Sequence, residues 1–253
     1  MAKADSADQA LISSIRIFYQ PVVRLADQRA EYVEVLARSQ SADGMLGGAA
    51  VIVDAMTAPE RSMDLTLGII ERTLREYESL RFGDLDLGLA FNLPLDVVLH
   101  PLLVERIEAA RTRYRMRPAQ FRFELTERDP VHDLGAVRDV ITRLRAAGFS
   151  LALDDITPGM PNLTALMAMP IRAIKLDRSV VISAKKSDRN FVHDMIAQAA
   201  ALGLDVIAEG IETERLFGRM RELGITHGQG FLFSRPLAAA DLQDYLRRAA
   251  APA

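Results

Sequence analysis

The sequence predicts an α/β fold, a TIM-like (β/α)8 barrel in which the first two strands form an irregular antiparallel pair. A chain of 253 residues with 49% apolar residues can bury one large core, and this length is typical of such barrels. From residue 87 onward, apolar strand-like runs alternate with helical patterns in units of roughly 30 residues, which predicts a parallel sheet with helices outside. Glycine follows three predicted helices, at Gly148, Gly203 and Gly224, as is common at helix C-termini.

The amino-terminal part of the chain departs from this regular alternation. Residues 1–14 are predicted to be a polar tail or linker, and residues 15–250 the barrel domain. Two segments rich in β-branched and aromatic residues, 15–23 and 31–38, are joined by a short polar turn, so they should pair as antiparallel strands. The composition then predicts a loop over residues 39–48 and a helix over residues 62–80.

The remainder of the chain repeats strand and helix. The predicted strands cover residues 87–91, 121–125, 151–153, 173–174 and 204–208, and a short last strand runs through Gly230. The predicted helices cover residues 101–113, 131–147, 163–167, 188–202, 212–223 and 238–248. An open doubly wound sheet shows the same alternation, but its dinucleotide-binding form has a glycine-rich loop after the first strand, and this sequence has none there. The barrel is therefore favoured, with the open sheet as the alternative.

Composition excludes several classes of function. A net charge of −3 and a pI of 5.9 give no general attraction to nucleic-acid polymers or to anionic membranes. Because the chain has no cysteine, disulfides, thiolate zinc sites and cysteine nucleophiles are excluded. The four histidines share no ligand spacing. No apolar run is long enough to span a membrane and the first residues do not resemble a signal peptide, so we expect a cytoplasmic location, alone or within a longer signalling protein.

The stretch from residue 150 to 177 is the centre of the predicted site. An apolar strand stops at two adjacent carboxylates, Asp154 and Asp155, and the next strand ends on Lys175 and Asp177. In a parallel sheet with an apolar interior, charges at the carboxyl ends of strands are costly to bury unless these ends open onto a site.

Polar side chains also follow most of the other predicted strands, and in a barrel they converge on one rim. The set consists of Glu34, Asn92, Glu124, Asp154, Asp155, Lys175, Glu209 and Gln229. Five carboxylates against one lysine cannot all remain ionised unless cations neutralise them. Oxygen ligands without histidine or cysteine favour Mg²⁺, Mn²⁺ or Ca²⁺ over zinc, and an adjacent aspartate pair suits a two-metal centre for phosphodiester hydrolysis.

Each of these residues has an ordinary interpretation as well. A single glutamate at a strand end is more often a solvated terminus or a helix cap than a ligand, and Asn92 before Leu93-Pro94 reads as a turn residue. What favours a site is that such residues occur at nearly every predicted strand exit, which independent caps would not produce.

At these residues the sequence resembles the EAL-domain family of cyclic di-GMP phosphodiesterases, from about Arg16 to Leu242. The resemblance rests on eight motifs in order, and the eponymous one reads EVLAR, with Val35 where the family has alanine. The motifs are FYQPVV (18–23), EVLAR (34–38), FNLP (91–94), FELTE (123–127), LALDD (151–155), IKLD (174–177), AEGIET (208–213) and QGFLFSRPL (229–237).

The resemblance implies a role for each matching residue. It implies one metal ion bound by Glu34, Asn92, Glu124 and Asp154, and a second bound by Asp155. Lys175 would orient the attacking water, Glu209 would be a general base or a water-held group, and Gln229 would support the site. The substrate contacts implied are Gln20, Leu36, Arg38, Asp177, Glu212 and Phe231. The resemblance also implies one or two Mg²⁺ or Mn²⁺ ions, inhibition by Ca²⁺, cyclic di-GMP as ligand, and a homodimer.

The loop after the aspartate pair departs from the family pattern. The family usually has Asp-Asp-Phe-Gly-Thr/Ala-Gly, whereas this chain reads DDITPG, so Thr157 replaces glycine and Pro158 removes an amide donor. Glu127, which matches a family residue that anchors this loop, is kept, and Pro94 replaces the usual serine. The first metal site is thus complete in sequence, and the element that completes the second is altered.

Two hypotheses of different classes follow. The first is an enzyme that hydrolyses cyclic di-GMP to the linear dinucleotide pGpG with weak or normal turnover. The alternative is a receptor that binds cyclic di-GMP without hydrolysing it and signals to a partner or fused domain. A purely structural interaction domain is a third and weaker reading.

Overall fold

The computed structural model describes residues 10–41, 43–56, 58–80, 87–126 and 133–250. Eight strands close a barrel in the order β1 to β8. Strand β1 pairs antiparallel with β2 and with β8, and all other neighbouring strands are parallel. The predicted TIM-like barrel with an antiparallel first pair is confirmed, and the open sheet is wrong.

Six of the eight strands, β1 to β6, extend beyond their predicted C-terminal ends. Their bounds are β1 Ile15–Arg24, β2 Ala30–Ser39, β3 Gly88–Pro94, β4 Phe121–Thr126, β5 Ser150–Ile156, β6 Ala173–Leu176, β7 Asp205–Ala208 and β8 His227–Gly228. Asn92 and the pair Asp154-Asp155 therefore lie inside strands, not after them, because the neighbouring strands continue the hydrogen-bonded ladder past the apolar run. The last strand ends at Gly228, before the predicted Gly230.

Helices cover the outside of the barrel. Residues 10–14 form α1, and the others are α2 Ala50–Ala55, α3 Pro59–Ser79, α4 Leu95–Val98, α5 Leu103–Arg113, α6 Leu134–Ala146, α7 Leu163–Met167, α8 Arg178–Val181, α9 Lys186–Leu202, α10 Glu214–Glu222 and α11 Ala239–Ala250. A short 3-10 helix covers Pro118–Gln120. The helices α2, α4 and α8 were not predicted, since each is too short to show an apolar period.

Several helix starts differ from the prediction. Helix α3 begins three residues early because Pro59 occupies its first turn, where the missing amide hydrogen costs nothing. Pro101 lies in a turn, so α5 starts at Leu103. Part of the predicted polar tail is helical. The Ile12 side chain of α1 packs against Gly68 of α3, where an added Cβ would lie 3.3 Å from Ile12 Cγ1.

Glycine ends three helices as the sequence predicts. Gly148, Gly203 and Gly224 have φ angles of +90°, +67° and +80°, in the left-handed region that favours glycine. Each glycine turns the chain from an outer helix back toward the next strand of the barrel.

The barrel interior contains an apolar layer between two polar ends. Six inward-facing residues form this separate buried cluster, which we call the septum: Val22, Tyr32, Ala90, Ala152, Ala173 and Ile207. Because side chains alternate along a strand, residues two positions away face the same interior. On five strands the residue two positions later is one of the predicted site residues, namely Glu34, Asn92, Asp154, Lys175 and Glu209. The septum thus fixes the depth of the site.

The amino-terminal ends of the strands carry a second polar group, which we call the floor cluster: Glu31, Arg122 and His227. Glu31 Oε1 lies 2.7 Å from Arg122 Nη2, and Glu31 Oε2 lies 2.9 Å from His227 Nε2. The guanidinium group of Arg122 also lies over the Tyr32 ring, 4.3 Å from its centroid. In the described residues, no helix combines the length and apolar character needed to cross a lipid bilayer.

Candidate active site

Charged side chains from five strands or strand ends meet at the carboxyl-terminal rim of the barrel. We call them the rim cluster: Glu34, Glu124, Asp154, Lys175 and Glu209. Lys175 is fully buried at the centre, and its Nζ lies 2.8 Å from Glu124 Oε2, 2.8 Å from Asp154 Oδ1 and 2.7 Å from Glu209 Oε1. Glu34 Oε2 is 3.7 Å from the same nitrogen. The structure therefore brings together the charged residues that the sequence placed on this rim.

The ionisation of the rim follows from burial competing with charge. Burial opposes a charge on Lys175, but the surrounding carboxylates, led by Asp154 and Glu124, outweigh it and raise the lysine pKa well above its usual value. Burial raises the pKa of Glu124 well above the usual range, and the charges of Glu34 and Asp154 add to this effect, although Lys175 opposes it. One lysine thus cannot neutralise all four acids of the cluster.

Glu34 is pushed in the opposite direction. Burial alone would raise its pKa, but Lys175 and hydrogen bonds from Gln229 and Asn92 hold this pKa below the usual value. The donors are Gln229 Nε2, 2.7 Å from Glu34 Oε2, and Asn92 Nδ2, 3.1 Å from Glu34 Oε1. Gln229 Nε2 also lies 3.0 Å from Gln20 Oε1. These amides therefore hold Glu34 as an oriented carboxylate.

Two further carboxyls have pKa values near neutrality. Burial, with added repulsion from Asp154, raises the pKa of Glu209 to about 7 in spite of Lys175. Burial and the same neighbour raise the pKa of Asp155 to about 6. Acids poised in this range can accept or release a proton at physiological pH.

Asp155 owes its position to an unusual backbone conformation. Its φ angle is +52°, and the register between β5 and β6 shifts between Leu153 and Ile156. This break lets Asp154 point into the barrel while Asp155 faces the open rim, so the two adjacent carboxylates serve different sides. The altered loop continues as a turn in which Met160 N donates to Thr157 O over 3.3 Å and Gly159 has a φ angle of +89°. Glu127 lies outside the described residues.

The rim also meets the geometric requirements of a metal centre. One oxygen each from Glu34, Glu124 and Asp154 lies within 4.8 Å of the others, and the same holds for a second trio of Asp155, Asp177 and Glu209. Within the part of the chain that the structure describes, the buried Glu124 Oε1 has no hydrogen-bond partner. An orphaned buried carboxylate oxygen beside other oxygen donors fits a hard divalent cation. Glu209 and Asp177 were predicted as a base and a substrate contact, so their place in the second trio is new.

Two cavities border this centre and meet at Asn92 and Asp155, which line both. The first has a volume of about 430 Å³ and is lined by the predicted contacts Gln20, Glu212 and Phe231. The second, of about 390 Å³, is lined by Leu36 and Arg38.

Asp177, by contrast, lines neither cavity. Its carboxylate caps α8 by accepting from Ser179 N over 2.9 Å. Sequence reasoning missed Arg178 and Gly210, which line the first cavity. The available signal was that Arg178 directly follows the IKLD motif and that Gly210 lies within AEGIET.

Comparison with known proteins identifies the family of this chain. A family model described as EAL domain matches residues 4–236. The cyclic di-GMP phosphodiesterase NbdA of Pseudomonas aeruginosa is 30% identical over 236 residues, which is 92% of this chain and 30% of that protein. The chain thus spans about a third of that relative's length.

Solved structures give the same result for the fold. The EAL enzyme Bd1971, in a form with cAMP and cyclic-di-GMP bound, has a TM-score of 0.85 at 24% identity, covering 97% of this chain and 69% of that one. BlrP1 of Klebsiella pneumoniae, in a manganese and cy-diGMP complex, has a TM-score of 0.77 at 29% identity, covering 88% of this chain and 56% of that one.

Proposed function

The chain belongs to the EAL domain family, and from this premise we propose that it is a metal-dependent phosphodiesterase that hydrolyses cyclic di-GMP to the linear dinucleotide pGpG. The observation that carries the proposal is the rim cluster, in which four acids surround one lysine and a buried oxygen of Glu124 has no hydrogen-bond partner among the described residues. Such a cluster is costly without a further cation, so its retention argues for chemistry that uses one.

The residues that would hold the cations are the two trios of oxygen donors, with the Asn92 side chain beside the first. A divalent cation bound there would stabilise charge on the phosphate and lower the pKa of water. We assign Mg²⁺ or Mn²⁺ as the bound cation, with one or two ions in the site, and we expect Ca²⁺ to inhibit. BlrP1, which resembles this chain, was solved with manganese in one complex and with calcium in another.

The chain's own residues would act on the substrate and on the proton. Glu209, whose Oε1 lies 2.7 Å from Lys175 Nζ, would either hold the second cation with Asp155 and Asp177 or accept a proton from the attacking water. Lys175 keeps its charge and offsets negative charge that develops at the rim. Gln229 and Asn92 hold Glu34 in place by hydrogen bonds. In the cavities, Arg38 would contact a phosphate and Phe231 would offer an aromatic face to a base.

The test is a product assay. The protein is incubated with cyclic di-GMP and Mg²⁺ or Mn²⁺, and the linear product is followed over time, with EDTA as the control. The proposal expects product with either cation and none with EDTA. A protein that binds the dinucleotide tightly for hours without forming product would overturn the enzymatic proposal.

One observation favours the second candidate, a receptor for cyclic di-GMP. Thr157 and Pro158 stand where the resembled family has small or flexible residues, two and three positions after Asp155, a member of the second trio with a left-handed backbone. If this loop holds Asp155 in an unproductive place, the cavities still bind the ligand while turnover is weak. Binding measured by calorimetry beside the product assay separates the two candidates, and absence of micromolar binding would leave only a structural role. We further infer a homodimer, which sedimentation would test.

A further inference from the structure

The cavity beside the carboxylates has an uneven charge. Of the described residues that line it, five are acids, Glu34, Asp154, Asp155, Glu209 and Glu212, and the single cation is Arg178. Lys175 lies beneath this surface and is fully engaged with carboxylates. An anion that enters this cavity therefore meets one guanidinium group at the surface.

Arg178 is held in place but not saturated. Its Nη2 and Nε lie 2.9 Å and 3.2 Å from a single oxygen, Glu212 Oε1. A guanidinium group has five N–H donors, so three remain without an acceptor among the described residues. The Nη1 side is thus free to bind an anion while the Nε side stays on Glu212.

A slot in the neighbouring backbone sets the direction of this side chain. Gly210 has a φ angle of +71°, and a Cβ at this position would lie only 2.2 Å from Arg178 Cγ. The aliphatic part of Arg178 therefore lies against the bare backbone of Gly210. No residue other than glycine leaves room for this path.

A second guanidinium group stands on the other side of the rim. Arg38 belongs to β2 and Arg178 begins α8, two residues after the end of β6, and strands 2 and 6 are opposite one another in a closed ring of eight. The only acceptor of Arg38 among the described residues is the carbonyl of Ala37, 2.9 Å away. Each of the two adjoining cavities thus contains one arginine, with Arg178 beside the carboxylates in the first and Arg38 in the second.

We propose that Arg178 binds the phosphate group of a cyclic dinucleotide that is not cleaved, while the cleaved phosphate lies between the rim carboxylates and Arg38. This inference rests on the proposed function. A cyclic dinucleotide carries two phosphodiesters on opposite sides of its ring, which matches two cations placed across the site. Arg178 would then select a substrate with two phosphates over an ester with one.

The experiment compares two substrates in Mn²⁺, cyclic di-GMP and bis(p-nitrophenyl) phosphate, which has a single phosphodiester. Arg178→Gln should raise KM for cyclic di-GMP about tenfold, the equivalent of one charge-assisted hydrogen bond. The loss should fall mainly on KM, should be several times smaller for the single ester, and should be partly rescued in Arg178→Lys. Gly210→Ala, which displaces the arginine stem, should show the same selectivity.

The matched control is Arg247→Gln, which removes an exposed arginine that pairs with Asp244 on α11, away from the cavity. Calorimetric affinity for cyclic di-GMP gives the same comparison if the protein binds without turnover. Equal losses on both substrates, or no loss in Arg178→Gln, would overturn the inference and leave a surface ion pair. A wild-type protein that neither binds nor hydrolyses cyclic di-GMP would instead refute the proposed function.

Discussion

The two ends of the barrel both carry ionic groups, but their charges are balanced differently. At the floor, the single carboxylate of Glu31 meets Arg122 and His227, each through a contact under 3 Å. At the rim, the single ammonium group of Lys175 meets four carboxylates, and one oxygen of Glu124 finds no hydrogen-bond partner in the described ranges. Because unbalanced buried charge costs stability, the rim is the end shaped for chemistry and the floor is the end that supports the fold.

The largest expected difference between the ends is in activity. Glu34→Ala removes a rim carboxylate that the amides of Gln229 and Asn92 orient. Turnover of cyclic di-GMP should fall by more than about 100-fold, which exceeds the usual effect of removing a residue that only supports a metal ligand. The matched control on the same strand is Glu31→Ala, which should retain turnover within about threefold of the wild-type rate. Initial rates of product formation measure both, and normal activity in Glu34→Ala would mean that the site is misplaced.

The second difference is the pH dependence of stability. In metal-free protein the pKa of Glu209 is raised from 4.5 to about 7 by burial, so its contribution to stability is complete below 4.5 and is lost as pH rises through 7. The free energy of unfolding should fall by about 1 to 3 kcal/mol over this window. The free energy of unfolding, measured by urea titration in EDTA at a series of pH values, should depend less steeply on pH in Glu209→Gln than in the wild-type protein. Asp155 should account for part of the pH dependence that remains in the variant. The same pH dependence in both proteins would contradict the assignment.

A smaller effect is expected at the floor, with the opposite sign. Burial tends to raise the pKa of Glu31, but His227 and Arg122 outweigh it and lower the value from 4.5. Its contribution is therefore present above 4.5 and lost as pH falls through the lowered pKa. Because the side chain is about one-third exposed, Glu31→Gln should cost only about 1 kcal/mol at pH 7. Urea unfolding at pH 7 and at pH 3 measures this, and a difference that persists at pH 3 would point to packing instead.

The smallest expected effect concerns the loop after Asp155. Grafting the family's residues at Thr157 and Pro158, as Thr157→Gly with Pro158→Thr, should raise turnover about two- to fivefold if loop geometry limits the position of Asp155. Ile156 is left unchanged because it is fully buried, and a larger phenylalanine there would overpack the core. Product assays of the double variant decide the point, since unchanged turnover would show that the native loop already places Asp155 correctly.

The sequence predicted the rim better than the floor for a physical reason. Rim residues stand two positions beyond septum residues such as Ala152 and Ala173, so strand alternation points them to one place even without coordinates. Glu31 and His227, in contrast, are 196 residues apart, and no local pattern joins them. The sequence alone assigned no function to His227, whereas its contact with Glu31 indicates that it supports the fold.

The features that sequence reasoning missed all depend on tertiary geometry. The left-handed conformation of Asp155 arises from a register shift between two strands, which a propensity scale does not contain. Arg178 reaches the cavity only because Gly210, far along the chain, leaves room for its stem. The short helices α2, α4 and α8 form through packing of the turns that follow strands, since helices of this length are not stable by themselves.

The measurement that tests the central account most directly is calorimetric binding of Mn²⁺ to the metal-free protein and to Glu124→Gln. The account predicts that the wild-type protein binds Mn²⁺ and unfolds at a higher temperature in its presence. It also predicts that Glu124→Gln binds Mn²⁺ at least about tenfold more weakly. This substitution replaces by an amide the carboxylate whose Oε1 has no hydrogen-bond partner among the described residues. Equal Mn²⁺ affinity in the two proteins, or no binding to either, would contradict the claim that the rim carboxylates gather to hold a hard cation.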